Sequence, residues 1–79
     1  MRMQLKILSP NIIMLDKFVD FVHLKLASGS IGVLPGHVPV AGKIKKSTVK
    51  YTVNNIENSM DVDEGYTFVM PNRVIVFTK

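Results

Sequence analysis

Few residues of this 79-residue chain are of types that do chemistry: two histidines, His23 and His37, an acidic cluster of Asp61, Asp63 and Glu64, and a lysine group. A glycine-rich run, "SGSIGVLPG" at 28–36, ends beside His37. A histidine becomes a useful base when a carboxylate orients it, and neither histidine has one at such a spacing. There is no cysteine to act as a nucleophile. "DVDEG" at 61–65 lacks the further oxygen ligands and the closing glutamate of a calcium loop, so it reads as a solvated strand end. The glycines would cradle a phosphate only with a Gly-Lys-Ser/Thr ending and a following helix; both are missing, and they read as turn devices. His23, mid-strand among Phe21, Val22 and Leu24, reads as a partly buried, hydrogen-bonded structural residue. No catalytic residue, cofactor or metal is expected.

Ten Lys and Arg against six Asp and Glu give a net charge of +4, which attracts nucleic acid or an anionic surface. Only Lys43, Lys45, Lys46 and Lys50 cluster. A nucleic-acid platform places exposed aromatics beside its basic track, whereas Tyr51, Phe68 and Phe77 alternate with polar or small neighbours as core residues do. The lysines therefore read as a solvated edge that discourages edge-to-edge pairing. The alternative is a free-standing small β-module binding an anionic partner such as RNA.

The elements that must position these residues are strands, because period two recurs along the chain and no segment offers ten residues of helical pattern. Met3, Leu5 and Ile7 alternate with Arg2, Gln4 and Lys6 before "SPN" breaks the first strand. Phe18, Asp20, Val22, Leu24 and Leu26 form one face of a second long strand. "SGS" turns the chain, "IGVLPGH" gives a short strand and a tight turn, and two prolines keep "VPVAGKI" extended. Val49, Tyr51 and Val53 lead into a turn at Asn54 and Asn55, with "IENSMDV" as hairpin partner. "DEG" turns again, and "YTFVM", "PN" and "RVIVFTK" make a final hairpin. This spacing is that of an all-β sandwich or barrel.

Size fits one domain over 1–79 with a tight core, since so short a chain buries only about 60% of its unfolded surface. With 47% hydrophobic and 20% charged residues it is not a disordered segment, and "IIML" is too short to cross a bilayer, so a soluble domain is expected. The absence of cysteine is compatible with a reducing compartment. "MRMQLKILSP" lacks the marks of a signal or transit peptide, so the chain is expected to start where its gene does.

"GSIGVLPGHVPV", with "LSP" and "FVDFVHL" upstream and "MPNRVIVFT" at the end, resembles the N-terminal β-sandwich domain of the epsilon subunit of rotary F-type ATP synthases, called delta in mitochondria. Gly29, Ile31, Gly32, Val33, Leu34, Pro35, Gly36, His37 and Pro39 fall in register on that family's pattern, and the likeness extends over the whole chain. The resemblance implies a ten-stranded, two-sheet β-sandwich. It implies a non-catalytic central-stalk subunit that couples the gamma shaft to the c-ring, for ATP synthesis driven by an ion gradient. The partners are then gamma and the c-ring, not nucleic acid. Membrane association comes only through the complex, at the cytoplasmic face of the bacterial inner membrane. Family contacts carry over onto Ser9, Ser30, His37, Val38 and Gly42 as candidate interface residues. Where the family often has an acid before the Ile-Gly pair, this chain has Ser30, which removes a charge from that spot. Family members usually continue into a C-terminal two-helix hairpin. This sequence stops at Lys79, so no such hairpin, no inhibition of hydrolysis and no nucleotide binding are expected of it.

Overall fold

The computed structural model describes residues 2–79. It contains nine strands: β1 (Met3–Leu8), β2 (Ile13–Val19), β3 (Phe21–Leu26), β4 (Gly29–Val33), β5 (Val40–Ile44), β6 (Ser47–Val53), β7 (Ile56–Val62), β8 (Gly65–Met70) and β9 (Arg73–Thr78). Hydrogen bonding runs through all of them in the order β2-β1-β9-β8-β5-β3-β6-β7, with β4 on β3. The sheet curls at one place, because β3 and β5 share only the pair Leu26–Ile44. Two layers result: β2-β1-β9-β8-β5, and β7-β6-β3-β4. All pairings are antiparallel except β1 with β9, which brings Leu5 opposite Val74 and Ile7 opposite Val76.

Alternation decides which side of each strand is buried. Met3, Leu5 and Ile7 of β1, Val74 and Val76 of β9, and Val22 and Leu24 of β3 are fully buried between the layers, with Val33, Val49, Tyr51 and Val69. Thr67 is buried among them, where its hydroxyl donates to the carbonyl of Ile75 at 3.0 Å. That bond satisfies a group which would otherwise be costly to bury.

The long second strand expected from the sequence is two strands. Asp20 is the corner at which the chain passes from one layer to the other. Its amide donates to Thr52 O (2.8 Å), its carboxylate accepts from the Asn54 amide (3.0 Å), and Arg2 lies 3.3 Å away as an ion pair. The face changes there: Val19 is buried at the end of β2, while Phe18 is exposed. The strand count is nine among the described residues, rather than ten. Leu34–Pro39 forms no ladder; it holds a turn, and Pro39 has no N–H to donate.

The expected turns are present. Asn54 and Asn55 take φ of 52° and 65°, as a two-residue hairpin requires. The Pro35–Gly36 turn is type II: the His37 amide donates to Leu34 O at 3.1 Å, and Gly36 has φ 89°.

Candidate functional site

The two layers have unlike outer faces. On β7-β6-β3-β4 the outward residues are mostly polar: His23, Lys25, Lys50, Glu57 and Ser59, with Thr48 donating to Asp61 across the strands at 2.7 Å and the half-buried Phe21 laid against Gly32. On the other layer, the pairings set Ala41, Phe68 and Ile75 side by side, with Tyr66 and Phe77 opposite each other in the next row. Phe68 and Phe77 are 46% and 43% exposed, and their rings meet edge to face with centroids 6.0 Å apart. Together with Pro39 and Met70 they line an open groove of about 560 Å³. A second recess of about 460 Å³ continues past Phe77 to Leu8, Ser9, Pro10, Ile12 and Ile13. Ile12 and Ile13 are also exposed, so the apolar strip runs the length of the layer. A continuous apolar surface of this kind on a small domain marks a protein-contact site.

This surface was missed because the sequence supports either register. In "RVIVF" both alternating sets are apolar, Val74 and Val76 on one side, Ile75 and Phe77 on the other. Uninterrupted apolar strands are the signature of burial on both faces, and that was the available signal. Tyr51 is in the core as expected; Phe68 and Phe77 are not.

The five residues singled out from the sequence do not form one cluster. His37 and Val38 lie at one end of the apolar layer, beside the β8–β9 turn, where the Gly36 amide donates to Pro71 O at 2.7 Å. His37 is half-buried, with Nδ1–H donating to the carbonyl of Val38 at 2.7 Å; Val38 is fully outside and adjoins Pro39 of the groove. Ser9 lies at the opposite end, lining the second recess, and holds the β1–β2 loop by accepting the Ile12 amide at 3.3 Å. Gly42, in mid-β5, faces inward, where an added Cβ would stand 3.7 Å from Leu26. Ser30 is not in a loop: it lies in β4, opposite Lys25, at the far end of that strand from His37.

Other candidates resolve into structural groups. Asp61 accepts from Thr48, Asp63 Oδ1 accepts from the Glu64 amide at 2.8 Å, and Glu64 pairs with Lys79 at 2.6 Å. That bond, with the carboxylate's charge behind it, raises the Lys79 pKa above 10.5. No metal-holding cluster of His, Cys, Asp or Glu occurs among the described residues. His23 is half-buried on β3, opposite Gly32 and Lys50. The lysines are divided: Lys43 projects from the apolar layer, Lys50 from the polar one, and Lys45 and Lys46 from the turn between β5 and β6. They form no single track for a nucleic acid.

The sequence profile described as "ATP synthase, Delta/Epsilon chain, beta-sandwich domain" matches residues 2–79. The ATP synthase epsilon chain of Desulfitobacterium hafniense (strain DSM 10664 / DCB-2) is 32% identical over 72 residues, covering 91% of this chain and 54% of the relative. The epsilon chain of Bacillus thuringiensis (strain Al Hakam) matches at the same identity and coverage. The chain thus spans about half the length of these curated relatives. The fold is shared with a chain of the Euglena gracilis mitochondrial ATP synthase (OSCP/F1/c-ring), with a TM-score of 0.89 at 16% identity, covering 98% of this chain and 50% of that one. It is shared also with a chain of the Tetrahymena thermophila mitochondrial ATP synthase, central stalk and c-ring, with a TM-score of 0.77 at 13% identity, covering 99% and 63%.

Proposed function

The chain belongs to the delta/epsilon β-sandwich family of ATP synthases, and from that premise we propose that it is a non-catalytic component of the central stalk, coupling a gamma shaft to a c-ring. The observation that carries the reading is the apolar strip on the outer face of β8 and β9, with Phe68 and Phe77 at its centre, continued by Ala41 of β5 and Leu8 of β1. Gamma docks on this face. Burying it also stabilises a domain whose own core is small, because a partner that binds only the folded state shifts the folding equilibrium. The ring is met by the sandwich end that carries His37 and Val38; Ser9 at the opposite end, Ser30 on β4 and Gly42 in mid-β5 are the other candidates for contact with gamma or the ring. The chain sits at the cytoplasmic face of a bacterial inner membrane, held there through the complex.

The test is a pull-down of the chain with purified gamma and c-ring, beside a Phe68→Ser/Phe77→Ser variant. With nearly half of each ring exposed, about 90 Å² per phenylalanine is available to an interface, taking about 200 Å² for the whole side chain. At ~25 cal/mol per Å² the double change removes at most about 4 kcal/mol of binding, so Kd rises by roughly 30- to 1000-fold. Retention of a folded double variant with undiminished affinity would sink the assignment of this face. Failure of the unaltered chain to bind gamma and c-ring would sink the coupling role itself.

A further inference from the structure

The two layers end in four outermost strands, β2, β5, β7 and β4. Strand β5 is tied to β3 at one end through Leu26–Ile44, follows Pro39 and carries Lys43, and β2 and β7 are likewise guarded against further pairing. In β2, Lys17 stands opposite the buried Leu5 yet is itself exposed, and a register shift between Ile7 and Leu8 disturbs the neighbouring ladder. In β7, Glu57 and Asp61 supply charge. Inward-register charge, bulges and charged edges are the usual means by which sheets avoid adding strands. Strand β4 has none of these: its sequence is GSIGV, it carries no charge and no proline, and among the described residues it pairs with β3 alone.

The hairpin geometry tells which main-chain groups are free. With Ala27 and Ser28 as a two-residue loop, Leu26 and Gly29 form a hydrogen-bonded pair, and bonded and non-bonded pairs then alternate. Ser30, opposite Lys25, and Gly32, opposite His23, fall on the non-bonded positions. Their N–H and C=O groups therefore point away from β3, to the open edge, and both residues have almost no side chain to obstruct an approach. Gly32 is further kept bare by the Phe21 ring, which lies 3.0 Å from where a Cβ would be.

Chemistry on either side of this edge describes its occupant. Lys25 is exposed beside Ser30, Lys45 is held near it by a hydrogen bond from its backbone N–H to Lys25 O (3.1 Å), and the ion pairs among the described residues, Arg2–Asp20 and Lys79–Glu64, involve neither. On the other side, Ile31 is only half-buried against the core, and Leu34 beyond the strand is 59% exposed. We propose that the β4 edge is a strand-addition site: Ser30 and Gly32 take up an extended partner segment by main-chain pairing. The segment carries a carboxylate towards Lys25 and an apolar side chain towards Ile31. Main-chain bonds supply most of the affinity, and the alternating side chains supply the selection.

Amide exchange in the full chain, resolved by NMR, tests this with three probes: a capped nine-residue peptide alternating valine and aspartate, its valine–lysine counterpart, and deca-uridylate. The acidic peptide is expected to slow exchange at Ser30 and Gly32 at least about tenfold on saturation, leaving the β7 edge unchanged. The lysine peptide binds at least about threefold more weakly, as expected for losing an exposed ion pair and gaining repulsion. Ser30→Pro, which removes an outward N–H without touching the β3 ladder, abolishes protection at Gly32; Lys25→Glu reverses the preference between the peptides and decides the matter if the proline variant does not fold. The proposal is overturned by no protection at millimolar acidic peptide, by equal effects of both peptides, by equal protection at β7, or by protection from deca-uridylate alone.

Discussion

Replacing Gly65 with alanine is expected to be among the most damaging single-methyl changes in this chain, and the reason is space rather than backbone conformation. Gly65 is not one of the glycines with positive φ, which are Gly29 and Gly36. Its neighbour across the ladder is Thr78, and a Cβ placed on it would lie 1.7 Å from the carbonyl oxygen of Phe77, 2.8 Å from that carbonyl carbon and 3.1 Å from the Thr78 Cα. These are backbone atoms, so no rotamer change relieves the overlap. Strands β8 and β9 would have to part by roughly 1.5–2 Å to restore ordinary contact, enough to lose the local ladder bonds. The Lys79 N–Glu64 O bond (3.2 Å) and the Asp63 N–Thr78 Oγ1 bond (2.8 Å) lie on the same joint. Two lost bonds cost about 1–3 kcal/mol, and overpacking about 1–3 more. The stiffer unfolded chain returns about 0.4–1. The net loss of about 2–5 kcal/mol compares with a total stability of roughly 4–12 kcal/mol for a domain of this size. At about 4–8 °C per kcal/mol, Tm falls by roughly 8–40 °C, measured by circular dichroism and repeated as a urea midpoint. A Gly65→Ala protein melting within about 3 °C of the parent would refute the reasoning.

Gly36→Ala is expected to lower stability by about 1–2 kcal/mol through strain alone, since its φ is 89° while nothing lies within 4 Å of the added methyl; Tm measures it, and an unchanged Tm contradicts the type II turn. Gly42→Ala should be neutral or stabilising by up to about 0.5 kcal/mol, because its methyl meets Leu26 at an ordinary 3.7 Å, so a large loss on urea unfolding would contradict the inward space described. The Lys79–Glu64 bond raises the lysine's pKa on folding, so its contribution is present below the unfolded value of 10.5 and is lost as pH rises through the raised one. Both groups are exposed, so Lys79→Met is expected to change Tm at pH 7 very little and less still in high salt, and a large change in a salt series would count against that.

Local chemistry made much of the fold readable. Asn54–Asn55 and Pro35–Gly36 carry their turn geometry in their residue types, and the β6–β7 and β8–β9 hairpins follow from alternation on both sides of a turn. Asp20 was not readable, because period two runs through it unbroken. The corner exists through partners distant in sequence, Arg2, Thr52 and Asn54. The outward placement of Phe68 and Phe77 was hidden for a different reason: in strands apolar on both sides, alternation cannot tell which set faces inward. Ser30 drew notice for a missing charge, whereas its main-chain position on an outermost strand is visible only once β3 and β4 are paired.

The parallel pairing of β1 with β9 also sets a timetable. Every other neighbouring pair in the apolar layer except β5 with β8 is joined by a short turn, but Gln4 meets Arg73 and Leu8 meets Phe77 only after the intervening chain has been laid down. On a ribosome, β1 and its hairpin partner β2 emerge first and wait with Met3, Leu5 and Ile7 uncovered until Arg73–Thr78 has left the exit tunnel. Closing so long a loop late makes folding slow for a domain this small, and leaves the first strand as the segment that a holding chaperone meets.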